Sequence, residues 1–122
     1  MIVNKVEQKV KVGIDTVIQY QFLTYCFFRN IALTKLDLKF LTALAKLGDV
    51  KLMDFCSLMV ERKDFKNTKS VINEARKLEK AKLIIKDGQY HKYISINKDI
   101  KVQSTGYILL DFKIFGSESE AL

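Results

Sequence analysis

Asp87-Gly88 is the tightest constraint in the chain. The pair stands between two β-prone runs, Leu83-Ile84-Ile85-Lys86 and Gln89-Tyr90-His91-Lys92-Tyr93-Ile94-Ser95-Ile96. So placed, it predicts a β-hairpin closed by a type I′ turn, because both central positions of that turn need positive φ. A lone hairpin is marginal in water and must be backed by other elements. The preceding residues supply helices. Thr34-Lys35-Leu36-Asp37 has the form of a capping box, a hydroxyl followed three positions later by an acid. Leu36, Phe40, Leu41, Leu44 and Leu47 then recur at helical spacing, and Gly48 stops the run. Asp49 is placed to cap a second helix reaching about Arg62, with Leu52, Phe55, Cys56 and Met59 inward. Asn67 or Thr68 opens a third, ending near Lys82. The expectation is an α+β domain over residues 33–100, three helices followed by a hairpin.

The flanks read differently. Residues 2–12 alternate toward a strand, with Val6, Val10 and Val12, and Gly13 breaks it. Residues 16–28 carry two patterns. Ile18, Tyr20 and Phe22 alternate with Gln19 and Gln21 as in a strand, while Ile14, Ile18, Phe22 and Cys26 fall at helical spacing. The β-branched and aromatic content favours the strand. Residues 107–115 read as one more strand, before an acidic tail. The chain thus divides into a β-prone extension (1–32), the central domain (33–100) and a C-terminal strand with tail (101–122).

The central order, and the string from Asn67 through Ala75-Arg76-Lys77-Leu78 to Leu83-Ile84, resemble the winged helix-turn-helix superfamily. There the third helix recognises DNA and the hairpin forms the wing. Ala81-Lys82 replaces the glycine usual before Leu-Ile in that pattern. The resemblance covers residues 33–97. Phe65-Lys66-Asn67, Ser70-Val71 and the terminal Ile108-Leu109-Leu110 with Phe112-Lys113 are also similar to small proteins of large tailed phages.

Charge agrees with a polyanionic partner. Residues 63–101 hold eleven basic and five acidic groups, most of the chain's net +7. With Val71, Ala75 and Leu78 turned inward, the third helix presents Lys69, Ser70, Asn73, Arg76, Lys77 and Lys80 outward. Glu74 and Glu79 fall at the borders of its buried face. Lysines neutralise phosphates, Arg pairs with guanine and Asn with adenine. Lys86, His91 and Lys92 of the wing could reach adjacent phosphates. These nine residues are the candidate contacts to double-stranded DNA.

A second surface is apolar. Tyr20, Phe22, Tyr25, Phe27 and Phe28 crowd nine positions, more aromatic area than one small core requires, and Leu58 lies between the outward acids Asp54 and Glu61. Tyr20, Phe22, Phe27, Phe28 and Leu58 are therefore candidate interface residues, for self-association or for docking into an assembly such as a virion ring or connector. The β-prone ends, with Ile108, Leu110, Phe112 and Ile114, also need a covering surface.

Catalysis finds no material. The five glycines are isolated, one histidine and two distant cysteines make no metal set, and Ser70 with His91 forms no nucleophile–base pattern. No cofactor and no small-molecule substrate is expected, and no apolar run is long enough to span a bilayer. Cys26 and Cys56, in apolar surroundings, read as reduced core thiols of a cytoplasmic protein. The leading expectation is a non-enzymatic DNA-binding regulator or accessory factor of a phage or AT-rich bacterium. The alternative is a virion subunit using the same fold for assembly.

Overall fold

The capping box expected at Thr34 closes in both directions. The Thr34 side chain accepts from the Asp37 amide at 3.1 Å, and the Thr34 amide donates to Asp37 Oδ2 at 2.8 Å. It launches α2 (Lys35–Leu47), which ends at Gly48, where φ is +74°. The computed structural model describes residues 2–11, 13–103 and 107–116, with side chains for 13–90 and 92–103. Within it the order is β1 (Ile2–Lys11), α1 (Ile14–Phe27), α2, β2 (Val50–Lys51), α3 (Leu52–Glu61), α4 (Thr68–Lys80), β3 (Ile84–Asp87), β4 (Tyr93–Ile96) and β5 (Tyr107–Gly116).

The three central helices and the hairpin stand where the sequence puts them, with four corrections. Residues 14–27 are helix, not strand. The helical set Ile18, Phe22 and Cys26 is buried at 0–1% exposure, so the 3.6-residue period prevails over β-branched composition. Second, Asp49 caps nothing: Val50 and Lys51 pair with Ile94 and Tyr93 of β4, and α3 starts only at Leu52. Third, the hairpin is not a two-residue type I′ turn. Asp87 pairs with Tyr93, so five residues bridge the strands, including a single 3₁₀ turn at Gln89–His91. Fourth, the hairpin belongs to a three-stranded antiparallel sheet in the order β2-β4-β3.

Gly88 makes that loop possible. Its φ of +81° and ψ of 179° suit glycine alone, and a Cβ there would lie 2.6 Å from Tyr93 Cδ2. One apolar core joins α1, all three central helices and the sheet. Phe40 sits against Phe55 at 4.7 Å between ring centroids, with Ile18, Phe22, Leu44, Val71, Leu78, Leu83 and Ile94 around them. Both cysteines are free and buried in it, and burial raises both thiol pKa values.

The ends pair with each other. β1 and β5 form an antiparallel ribbon from Ile2↔Gly116 to Lys11↔Tyr107. The expected covering of Val6, Val10, Ile108, Leu110, Phe112 and Ile114, and the acidic tail, lie outside the described residues and side chains. The segment leading toward β5 is held by Gln21 of α1. Its carboxamide donates to the Gln103 carbonyl at 2.6 Å and accepts from the Gln103 amide at 2.9 Å.

Candidate nucleic-acid interface

Helix α4 is built to be held on one side and open on the other. Asn67 caps it, accepting from the Ser70 amide at 2.9 Å, while Ser70 Oγ accepts from the Asn67 amide and donates to the Asn67 carbonyl. Ser70, an outward candidate by sequence, is thus engaged in the cap. Val71, Ala75 and Leu78 are buried at 0–1% exposure and seat the helix. Lys69, Asn73, Arg76 and Lys80 are exposed, and their spacing of four, three and four residues makes one continuous stripe along the solvent side.

Lys77 does not join that stripe freely. Its Nζ donates to Asp37 Oδ1 at 2.9 Å and Oδ2 at 3.1 Å, and the Asp37 side chain is completely buried. Glu74, one turn earlier on α4, brings a second carboxyl to the same place, with its Oε2 buried and unpartnered. Burial, then the hydrogen bond to Asp37 and its negative charge, push Glu74 up to about 7. Asp37 goes the other way. Burial works to raise it, but hydrogen bonds from the protonated Glu74, the Thr34 amide and Lys77 outweigh that and hold it below the usual carboxylate range. Lys77 is raised, chiefly by its hydrogen bond to Asp37. This α2–α4 cluster escaped the sequence reading, which placed Glu74 only at the edge of the buried face.

The wing contributes unevenly. Lys92 is exposed, with its Nζ 5.5 Å from the centre of the Tyr90 ring, and Tyr90 itself is 78% exposed at a left-handed φ of +59°. Lys86 is mostly covered and lies 3.6 Å from Glu79. The His91 side chain lies outside the described ones. Among the interface candidates, Phe22 is a core residue at 0% exposure rather than a contact. Leu58 is half-buried. Phe27 and Phe28 are 76% and 74% exposed, packed edge-to-face at 5.6 Å, and Tyr20 and Leu23 on the same helix are about half exposed.

Helix, short strand, helix, helix and a two-stranded wing around one core define a winged-helix fold. A solved structure described as a zinc uptake regulator complexed with zinc and DNA is similar to it, with a TM-score of 0.55 and 19% identity over 67% of this chain. At that identity the likeness establishes the fold, and this chain spans about half (55%) of that protein's length. No protein-family model and no curated protein matches the sequence. Among the described residues no three His, Cys, Asp or Glu side chains gather as metal ligands, and no helix is long and apolar enough to cross a membrane.

Proposed function

We propose that this protein is a non-enzymatic, winged-helix DNA-binding regulator of the cytoplasm that inserts α4 in the major groove. The observation that carries the reading is the exposed Lys69–Asn73–Arg76–Lys80 stripe on a helix whose opposite face is locked into the core. Lys69 and Lys80 meet phosphates, and Asn73 and Arg76 face base edges. The DNA in the similar regulator's structure supports the same partner. On the wing, the exposed Lys92 reaches the flanking backbone. Ser70 and Lys77 contribute by fixing the helix, and Lys86 plays a lesser part.

The test is fluorescence anisotropy on duplexes selected from a random library. Lys69→Ala and Lys80→Ala should each weaken binding to all sequences and lower the salt slope by about one. Asn73→Ala and Arg76→Ala should relax sequence preference, by about 1–3 kcal/mol at the contacted base pair. Unchanged binding in all four variants refutes the assignment.

The exposed Tyr20, Leu23 and Phe27 of α1, with Phe28 at its C-terminal cap, favour a second reading, self-association through that helix. Two copies joined there would present two α4 helices to a two-fold site. The same surface would serve a virion subunit. That reading stands second, because assembly alone does not account for a Lys69–Asn73–Arg76–Lys80 stripe with no carboxylate in it.

A further inference from the structure

A polar cleft of about 200 Å³ lies on the side of α2 facing the start of α1 and the turn between α3 and α4. Lys39, Thr42 and Lys46 of α2 share this face, at three- and four-residue spacing. Asp15 and Gln19 of α1 close one end, and Arg62 and Asp64 of the turn close the other. Three buried side-chain oxygens among the described residues lack a hydrogen-bond partner. Two of them, Thr42 Oγ1 and Asp64 Oδ2, belong to this cleft.

Thr42 is unusual for its setting. Thr24 and Ser57, also on helices, bond back to the carbonyl four residues earlier, at 2.8 and 3.1 Å. Thr42 makes no such bond although it is 5% exposed. A buried hydroxyl left unsatisfied costs stability, and nearly all such groups in native folds find a partner, in the chain or in something beside it.

The charges say what that something is. Lys46 is paired with Asp15. Lys39 Nζ and Arg62 Nε lie 3.7 and 3.5 Å from the Asp64 carboxylate, ion-pair distances that leave hydrogen-bonding capacity open on all three groups. Three cations against two carboxylates leave one positive charge for an anion. Asp64 Oδ2, which Arg62 meets at ion-pair distance without a hydrogen bond, can still accept from a donor on the same molecule. The volume equals that of about seven waters, the scale of a small metabolite.

We propose that this cleft binds a small carboxylate that also carries a hydrogen-bond donor, a hydroxy acid or an amino acid. Its carboxylate meets Lys39 and Arg62, and its hydroxyl or ammonium meets Asp64 and Thr42. The occupant bridges α2 to the turn that leads into the Asn67 cap of α4, so its binding couples to the seating of that helix.

Isothermal titration of the full chain, without DNA, tests this with L-malate, L-serine and inorganic phosphate as probes. Saturable one-to-one binding of malate or serine at millimolar or lower concentration is expected, with phosphate clearly weaker. Thr42→Val should lose about tenfold in affinity, as for one hydrogen bond, while the melting temperature of the free variant holds or rises because an unsatisfied hydroxyl is gone. Arg62→Gln should lose binding as well. Absence of saturable binding for both organic acids, phosphate binding as tightly as either, or full affinity in Thr42→Val overturns the proposal. The titration contains no DNA, so its outcome is independent of the DNA-binding measurement.

Discussion

Replacing Glu74 by glutamine removes an ionisation from the α2–α4 contact while keeping a donor for Asp37. Glu74 has its pKa raised from 4.5 to about 7, first by burial and then by Asp37. A group raised in the folded state binds its proton more tightly there than in the unfolded chain. Folding is therefore unpenalised below the unfolded value, near 4.5. Stability then falls as pH climbs toward 7 and levels off above it. The full rise corresponds to roughly 3 kcal/mol, and partial access of water to this carboxyl trims it to about 1–2 kcal/mol. Asp37 and Lys77 face Glu74 directly, and the Cys26 thiol of α1 lies within electrostatic reach of Asp37. Asp37 and Lys77 keep their charges between pH 5 and 8, so Glu74 dominates the window. Wild type should thus lose stability from pH 5 to pH 8. Glu74→Gln should match it near pH 5 and exceed it at pH 8 by about 1–2 kcal/mol, or some 4–10 °C in melting temperature for a domain of this size. Urea titrations and circular-dichroism melts at the two pH values read this directly. An equal offset at both pH values, or a flat wild-type profile, refutes the reasoning.

Lys77→Ala should cost about 1–3 kcal/mol in urea denaturation near pH 7, because it strips the buried Asp37 carboxylate of its cation. That loss should fade in acid as Asp37 takes up a proton. Gly88→Ala should destabilise by about 1–3 kcal/mol, since the backbone there is open to glycine alone and Tyr93 occupies the space of a Cβ. Altered amide shifts should be confined to the wing in heteronuclear NMR, and duplex affinity should fall with them. Phe27→Ser with Phe28→Ser should leave the melting temperature nearly unchanged, as both rings are exposed, while light scattering shows a smaller species at high concentration. A wild type that is already monomeric there removes the interface.

Local rules made the central elements readable. Thr34 with Asp37 and Asn67 with Ser70 cap their helices through contacts three residues apart, and such contacts are written in sequence order. The buried set Val71, Ala75 and Leu78 is read off a helical wheel for the same reason. α1 misled because it is apolar on both sides, with Phe22 in the core and Phe27 in solvent, so alternation and helical period coincide over its first turns. β2 is two residues long and exists only through pairing with β4, which lies some forty positions away. The Asp37–Glu74–Lys77 cluster joins elements equally distant in sequence. The Gln21–Gln103 bond is longer-range still. Nothing in the local pattern of either partner signals such contacts.

The ribbon that pairs Ile2 with Gly116 has a consequence for how the protein is made. Among the described residues all other strand pairing lies between residues 50 and 96, so the winged core can form while synthesis is still under way. β1 leaves the ribosome about a hundred residues ahead of its partner. At ordinary elongation rates its unpaired backbone waits roughly 5–20 s for β5 to emerge. Closing that ring of about a hundred residues is also the longest strand closure among the described residues, which makes the ribbon a late step in folding. During that interval β1 is an open template for a strand from another chain, so nascent copies on one messenger are exposed to mispairing at this segment. Cotranslational chaperone demand should concentrate there, and a circular permutant that places β5 directly before β1 should relieve it.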